Sequence, residues 1–535
     1  MSEIQFRIGI DVGGTNTDAV VMRGREVVGW AKRPTTPDVT SGIVAALSGV
    51  LAETDIEKPS VGAVMIGTTH FTNAVVQRRK LTRVAVFRLC GPATQSLPPM
   101  VDWPPDLRDA VRGFAALLPG GFEFDGRPIV PFDERALREA CRQTLAFGLN
   151  SVAVSSVFSP VNTEHETRAA QIIREELPDA AISLSHEIGR LGLLERENAA
   201  IMNACLRDLG QKTIAAFRES LADLGLNCPL YLAQNDGTLM SADFAEKFPV
   251  YTFASGPTNS MRGAAFLSAL PDAIVVDIGG TTTDVGALAH GFPREASVEV
   301  EVGGVRTNFR MPDVFSFGLG GGSIVVDQRS TLGFGSWDLG ISVGPLSVGY
   351  ELTTKARVFG GDTLTATDIA VAGRRADIGA RANVADLDPA LIAAGLAFML
   401  GRVEEAIDRM KLSRDPVPVI LVGGGSILVG DRLGGASDVV RPPHYQVANA
   451  VGAAIAQISG EIDRVVSLRD VSRDEAIAAA KQEAGDRAIA AGADPNTIHI
   501  VDVEDIPLAY LPSNATRVRA KAVGNLNLEA ASTAG

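Results

Sequence analysis

The 535-residue sequence predicts an α/β protein of two related lobes around one nucleotide cleft, with a small α+β region at its C-terminal end. Three observations lead there. The octapeptide Asp11-Val12-Gly13-Gly14-Thr15-Asn16-Thr17-Asp18 recurs as Asp277-Ile278-Gly279-Gly280-Thr281-Thr282-Thr283-Asp284, at an offset of 277 − 11 = 266 residues and with six of eight positions identical. Each copy follows a β-branched run (Phe6-Arg7-Ile8-Gly9-Ile10; Ala273-Ile274-Val275-Val276) and returns to apolar residues (Ala19 to Met22; Val285 to Leu288), so one hairpin unit is used twice. Apolar strands alternate with helical periodicity between and after these copies. The expected divisions are 1–190, 191–459 and 460–535.

The glycines let the chain leave a strand, turn sharply and bring backbone N–H groups against an anion with no Cβ in the way. Phosphate suits that cradle, made of Gly13, Gly14, Gly279 and Gly280, with hydroxyl donors from Thr15, Thr17, Thr281 and Thr283. Asp11 and Asp277, which cannot bind phosphate directly, make sense as holders of Mg²⁺ through water. Strand–turn–strand geometry and the missing Gly-Lys-Ser/Thr argue against a Walker loop.

With 46% hydrophobic residues the chain is ample for two or three domains. A net charge of −14 argues against nucleic acid or an anionic membrane as partner and points to a small substrate. Cys90, Cys141, Cys205 and Cys228 have no CxxC spacing and read as reduced core thiols. The opening residues lack a leader pattern and no stretch of about 18 apolar residues occurs, so a cytoplasmic location is expected.

In chain order, residues 5–35 read as three strands and 39–52 as a helix capped by Asp38 or Thr40. The strand Val61 to Ile66 ends in Gly67-Thr68-Thr69-His70, directly before a helix over 72–79. Polar groups thus gather at a strand's C-terminal end and a helix N-terminus, where α/β ligand sites lie. Residues 84–124 are Pro-rich and read as an irregular surface insertion. A helix (134–147), a strand (152–157) and a helix (164–176) follow, and the first lobe closes near 190. The long helical pattern 194–224 bridges the lobes, and its start, Glu195-Arg196-Glu197-Asn198, reads as a solvated end with charge pairs.

After the strand 230–233 and the polar turn Gln234 to Gly237, Ala254 to Ser260 reads as a helix entry with an early Pro. Residues 297–310 alternate as strands, and two further glycine turns follow at 317–324 and 422–428. The later one, 423 − 277 = 146 residues past the second Asp, follows a helix (389–411) and a buried strand (417–421). A flat base can lie against its bare backbone, which makes Gly423, Gly424, Gly425 and Ser426 the expected adenine site, although tight packing also selects glycines. The small residues of helix 449–456 permit close helix approach and suggest a hinge. Beyond 460 a helix (472–491) and alternating strands (498–503, 516–523) form the appendage, and Ala530 to Gly535 should fray.

Two hairpin phosphate loops, a later glycine turn and small-residue helices together resemble the superfamily of actin, sugar kinases and heat-shock chaperone ATPases. More specifically, the chain resembles the first of the two subunit types of the hydantoinase/oxoprolinase family. The resemblance spans nearly the whole chain: Asp11 to Asp18, Gly67 to His70, Ser185-His186-Glu187-Ile188, Asn235-Asp236-Gly237, Ser255-Gly256-Pro257, Asp277 to Asp284, Gly320 to Ile324 and Pro507 to Pro512. It implies two actin-like (ribonuclease H-like) ATPase lobes that use ATP and Mg²⁺ to activate a cyclic amide, such as a hydantoin or 5-oxoproline, by phosphorylating the ring carbonyl. Related carboxylases act on ketones. On this reading Asp11 and Asp277 are catalytic, Asp277 orienting the attacking oxygen, while Thr69, His70, Asn73, Glu195 and Glu197 face the substrate. The resemblance also implies a partner protein of the family's second type and an oligomeric assembly. The alternatives are a sugar-type kinase and a partner-activating ATPase.

Overall fold

The computed structural model describes residues 5–36, 40–296, 300–308, 311–327, 340–469, 471–508 and 515–528. Two mixed sheets repeat one plan. In the first, Glu26–Pro34, Asn16–Arg23 and Phe6–Val12 run antiparallel, and Phe6–Val12 then pairs parallel with Val61–Thr68, which pairs parallel with Leu230–Ala233. In the second, Val314–Phe317, Thr283–Ala289 and Ile274–Ile278 run antiparallel, followed in parallel by Val417–Val422 and Ala436–Val440. The repeated octapeptide therefore occupies the same hairpin tip in two related, actin-like lobes.

The sheets do not follow the divisions at 190 and 459. Leu230–Ala233 and Thr238–Ser241 complete the first lobe's sheet, and Gln457–Ser467, Ala515–Gly524 and His499–Pro507 extend it to nine strands. The strand Thr238–Ser241 at that edge would leave backbone groups unpaired, and the chain returns with Gln457–Ser467 to cover it. The helix Arg473–Ala490 lays Ala476, Ala480, Ala484 and Ala488 on this extension against Ile458, Ile462, Ala520 and Ala522. The C-terminal α+β region is thus continuous with the first lobe.

Residues 84–124 also depart from the irregular insertion expected. Val84–Gly91 and Arg112–Pro119 pair in parallel and, with Ser151–Ser156 and Ala181–Leu184, form an all-parallel four-stranded sheet. The prolines that suggested irregularity lie in the connection and at the start of the helix Pro105–Val111, where a missing N–H costs nothing. The 31-residue helix Leu193–Asp223 packs Ala200, Cys205 and Leu206 against this small sheet and Ile214, Phe217 and Leu221 against the first lobe. Its start is not solvated, since Arg196, Glu197 and Asn198 are all buried.

Two helices fill the space between the lobes. Ser255–Ser268 sets Met261 and Ala264 on the second sheet, against Val275, Leu288 and Ile420. Ala448–Ile455 sets Ala450, Val451 and Ala454 on the first, against Val20 and Met22. They cross so closely that a Cβ on Gly452 would lie 1.8 Å from the Asn259 carbonyl oxygen, and one on Gly263 would lie 1.9 Å from that of Ala448. The helix expected over 39–52 is Thr40–Thr54, and Asp38 lies outside the described residues. So do 297–299, 309–310, 509–512 and 530–535, which take in parts of the expected strands, of the Pro507 to Pro512 motif and the expected frayed end. No described helix is long and apolar enough to cross a membrane.

Candidate functional site

Strand pairing aligns one transverse row of residues in each lobe. In the first lobe Lys32, Asp18, Asp11 and Gly67 are successive cross-strand partners. In the second the row is Ser316, Asp284, Asp277 and Val422. Directly opposed residues share a face of the sheet. Each hairpin therefore turns two carboxylates toward one cleft of about 340 Å³ between the lobes.

The hairpin tips close identically, by Gly13 N–H to Asn16 C=O at 3.0 Å and Gly279 N–H to Thr282 C=O at 2.9 Å. They also touch each other, since a Cβ on Gly280 would lie 2.3 Å from Thr15 Oγ1. Their braces differ. Thr35 holds the first hairpin, donating its N–H to Thr15 C=O (3.0 Å) and its hydroxyl to Gly13 C=O (2.8 Å). The glycine turn at 318–324 holds the second, with Gly321 and Gly322 N–H donating to Gly279 and Gly280 C=O at 3.0 and 2.7 Å. That contact accounts for Gly320 and Gly322, where side chains would meet the Gly280 backbone.

Burial dominates the electrostatics. It drives Asp11 up to about 7, the facing Asp18 adding to the rise while Asn449 (Nδ2 to Oδ2, 3.3 Å) and Lys32 oppose it. Asp284 also reaches about 7 through burial, against a hydrogen bond from Ser316 Oγ. Asp18 and Asp277 are raised for the same reason, Asp18 despite the Lys32 ammonium 2.6 Å away. Four desolvated carboxyls with one ammonium make a site that favours cations. Among the described residues no three His, Cys, Asp or Glu side chains gather as a metal-ligand set, and Asp11 and Asp277 fit a cation held through its own water. Thr15 Oγ1 and Asp18 Oδ1 are buried on the cleft wall without a protein partner, and the Asn259 amide, near Asp11 but off the cleft lining, is buried without one as well. Buried polar groups stay unpaired mainly where something else completes them.

The hydantoinase/oxoprolinase N-terminal region matches residues 7–177, and the hydantoinase/oxoprolinase domain proper matches residues 196–462. The chain belongs to the hydantoinase/oxoprolinase family. It is 28% identical over 371 residues to the caprolactamase alpha subunit of Pseudomonas jessenii, covering 65% of this chain and 53% of that one. It is 27% identical over 402 residues to the acetophenone carboxylase gamma subunit of Aromatoleum aromaticum, covering 68% and 52%. The chain thus spans about half the length of these relatives. Its fold is that of the ATP-dependent caprolactamase from Pseudomonas jessenii (TM-score 0.76, 20% identity, 97% of this chain and 88% of that one). It is also that of nucleotide-free acetone carboxylase (TM-score 0.71, 17% identity, 98% and 88%).

Within this hydantoinase/oxoprolinase cleft the structure gathers Asp11, Asp277, Gly13, Gly14, Thr15, Gly279, Gly280, Thr281, Gly423, Gly424, Gly425 and Thr69. Gly423 has φ +82°, and a Cβ there would lie 2.2 Å from Asp277 Oδ1, so only glycine passes beneath the carboxylate. Other expectations are corrected. Thr17 and Thr283 neighbour the inward-facing Asp18 and Asp284, and strand alternation turns them into the sheet. There Thr17 Oγ1 meets Thr35 Oγ1 at 3.2 Å and Thr283 Oγ1 donates to Leu319 C=O at 2.7 Å. Ser426 is fully buried off the cleft.

On the expected substrate side only Thr69 faces the cleft. His70 turns into a neighbouring groove with Lys80, Asp208 and Lys212, where burial and Lys80 hold its imidazole below the usual range. Asn73 is exposed and donates to Thr69 Oγ1 at 3.3 Å, and Glu195 lies off the cleft beside Gly192. Glu197 is bound to the fully buried Arg88 at 2.5 Å and accepts from Ser155 Oγ at 2.6 Å, a structural ion pair inside the long helix's packing. Sequence reasoning missed Asp18, Asp284, Lys32, Asn259 and Asn449 as site residues. The first two were signalled by the repeat itself, which carries an Asp at both ends of the hairpin.

Proposed function

We propose that this chain is the ATP-using component of a cyclic amide hydrolase, phosphorylating the ring carbonyl oxygen of a lactam, hydantoin or 5-oxoproline-like substrate. The observation that carries the reading is the pair of matched carboxylate rows behind two glycine hairpins on opposite walls of one cleft. Mg²⁺-ATP supplies the phosphoryl group that turns a resonance-held carbonyl oxygen into a leaving group. Asp11 and Asp277 hold the metal's water shell, and Asp277 also orients the attacking oxygen. Gly14 and Gly280 present backbone N–H groups to the phosphates, while Gly13 and Gly279, whose N–H groups close the hairpins, keep side chains out of the cradle, with Thr15 and Thr281 as hydroxyl donors. The adenine side is the bare backbone of Gly423 to Gly425, where a Cβ on Gly424 would meet open space. Thr69 stands where the substrate enters. Water attack on the activated ring falls to a second protein, in keeping with the naming of both relatives as subunits.

A second reading is favoured by the similarity to the acetophenone carboxylase gamma subunit. The same cleft would then phosphorylate a ketone-derived oxygen before carboxylation. Both readings share phosphoryl transfer to a carbonyl-derived oxygen and differ in the acceptor. The test is ADP release by the purified chain with Mg²⁺-ATP and, in turn, lactams, hydantoins, ketones with bicarbonate, and sugars. Lactam- or hydantoin-stimulated release, with ring opening only when the partner is added, is expected. Ketone-dependent release selects the second reading, and a stable phosphosugar overturns both.

A further inference from the structure

We propose that Lys32 is the protein's own counter-charge for the polyphosphate tail of the nucleotide, held ready by Asp18. The two rows match in their central pairs, Asp18 and Asp11 against Asp284 and Asp277. They differ at the next strand, where the first lobe sets Lys32 opposite Asp18 and the second sets Ser316 opposite Asp284. The octapeptide repeat does not reach this position, and only the first lobe sets a cation there. Among the described residues lining the cleft, Lys32 is the only one with a cationic side chain. A polyphosphate entering between four carboxylates needs a positive charge beyond that of the metal.

Lys32 is placed for this. Its side chain keeps 29% of its surface exposed, whereas that of Asp18 keeps 11%, so the ammonium can leave or share its partner without breaking a sealed pair. Asp18 spends one oxygen on Lys32 at 2.6 Å and leaves the other buried without a partner. A carboxylate in that state orients an ammonium without satisfying all of its three donors. Lysine binds phosphate as a compact point charge with rotatable donors, which suits a residue that turns from Asp18 toward an incoming anion. Asp18 is then a positioning residue.

This inference rests on the reading of the cleft as an ATP site, and the experiment separates the two. Binding of Mg²⁺-ATP and Mg²⁺-ADP is measured by calorimetry on the full chain and on Lys32→Met, Lys32→Gln and Lys32→Arg, at several salt concentrations. Lys32→Met and Lys32→Gln are expected to weaken both nucleotides at least tenfold and to make binding less sensitive to salt, with the melting temperature of the unliganded protein little changed. Lys32→Arg is expected to restore affinity to within about threefold. If the wild-type chain binds nucleotide and Lys32→Met binds it equally well, or if Lys32→Arg loses as much as Lys32→Met, the assignment of Lys32 is wrong while the cleft stands. Should the wild-type chain bind neither nucleotide, the reading of the cleft falls and the inference with it. If Lys32→Met does not fold, Lys32→Gln carries the same comparison.

Discussion

Replacing Gly452 with alanine tests the crossing of the two central helices. The added methyl would stand 1.8 Å from the Asn259 carbonyl oxygen and 2.6 Å from its carbon. Ordinary contact begins near 3.4 Å, so the helices must part by about 3.4 − 1.8 = 1.6 Å. Retreat is blocked on the other side, because Gly9 of the first sheet already clears the helix so closely that its own Cβ would lie 2.1 Å from Ala450 C=O. Overpacking of this kind costs about 1 to 3 kcal/mol, and backbone on both sides places this case at the upper end. Alanine's better helix propensity returns about 1 kcal/mol, for a net loss of about 2 kcal/mol. Asn449 and Asn259, which flank Asp11 from the two helices, move with the crossing, so nucleotide affinity should fall as well. Gly401→Ala in the helix Pro389–Met410 is the control: nothing lies within 4 Å of its Cβ, and it should stabilise. The assay is thermal melting with and without Mg²⁺-ATP. If Gly452→Ala melts at or above wild type, with unchanged nucleotide affinity, the close crossing does not constrain this position.

Three further outcomes are expected. Asp11→Asn and Asp277→Asn should each abolish most ATP hydrolysis while the fold persists, and near-normal turnover at limiting Mg²⁺ would show that the carboxylate in question does not serve the metal. Glu197→Gln leaves the Arg88 guanidinium buried with no counter-charge and should cost about 3 to 5 kcal/mol of stability, while the folded fraction binds nucleotide normally. An affinity loss without a stability loss would return Glu197 to the substrate side. Asp11 and Asp284, whose folded values stand near 7 against 3.8, bind more protons folded than unfolded between those values. The stability these two groups contribute to the metal-free protein is therefore full below about pH 4 and is lost as pH rises from there through 7, by on the order of 4 kcal/mol per carboxyl at most. Mg²⁺ should reverse the loss, and a melting temperature that rises from pH 5 to 8 without metal would contradict the raised values.

The duplicated lobes were legible because the octapeptide carries its own symmetry: an Asp seven residues from its twin across a glycine turn imposes register and face together. The small residues of Ala448–Ile455 announced a close approach, and Gly452 meets Asn259 where the lobes join. Lys32 was not legible, since its place opposite Asp18 depends on a register shift between Val21 and Met22 that no period-2 pattern reveals. Glu197 misled because a charged helix start is ordinarily solvated, and only the three-dimensional return of Val84–Gly91 brings Arg88 to it. The extension of the first sheet by C-terminal strands was hidden for the same reason. Pairing between Thr238 and Gln457 spans more than two hundred residues and leaves no local mark.

The two hairpins look alike but are not held alike, and this bears on how the cleft works. Thr35 braces the first from the end of the adjacent strand, within one sheet, so that hairpin is fixed wherever its own lobe is folded. The second depends on a segment some forty residues further on. Gly321 and Gly322 support Gly279 and Gly280 and are in turn held by Thr367, whose N–H and hydroxyl both donate to Gly321 C=O, and by the Val348 N–H donating to Gly322 C=O. Thr367 and Leu352 of that supporting region also line the cleft. Whatever lies against that wall therefore touches the brace of the second hairpin directly, whereas the brace of the first hairpin lies at the end of its own sheet's edge strand. On the proposed reading, a phosphate between the two hairpins would be gripped on one side by an element braced within its own lobe's sheet and on the other by one braced from the wall beside it. On that reading, the asymmetry would let occupancy of the cleft reach the second hairpin, and Asp277 with it, through Thr367 and the glycine turn.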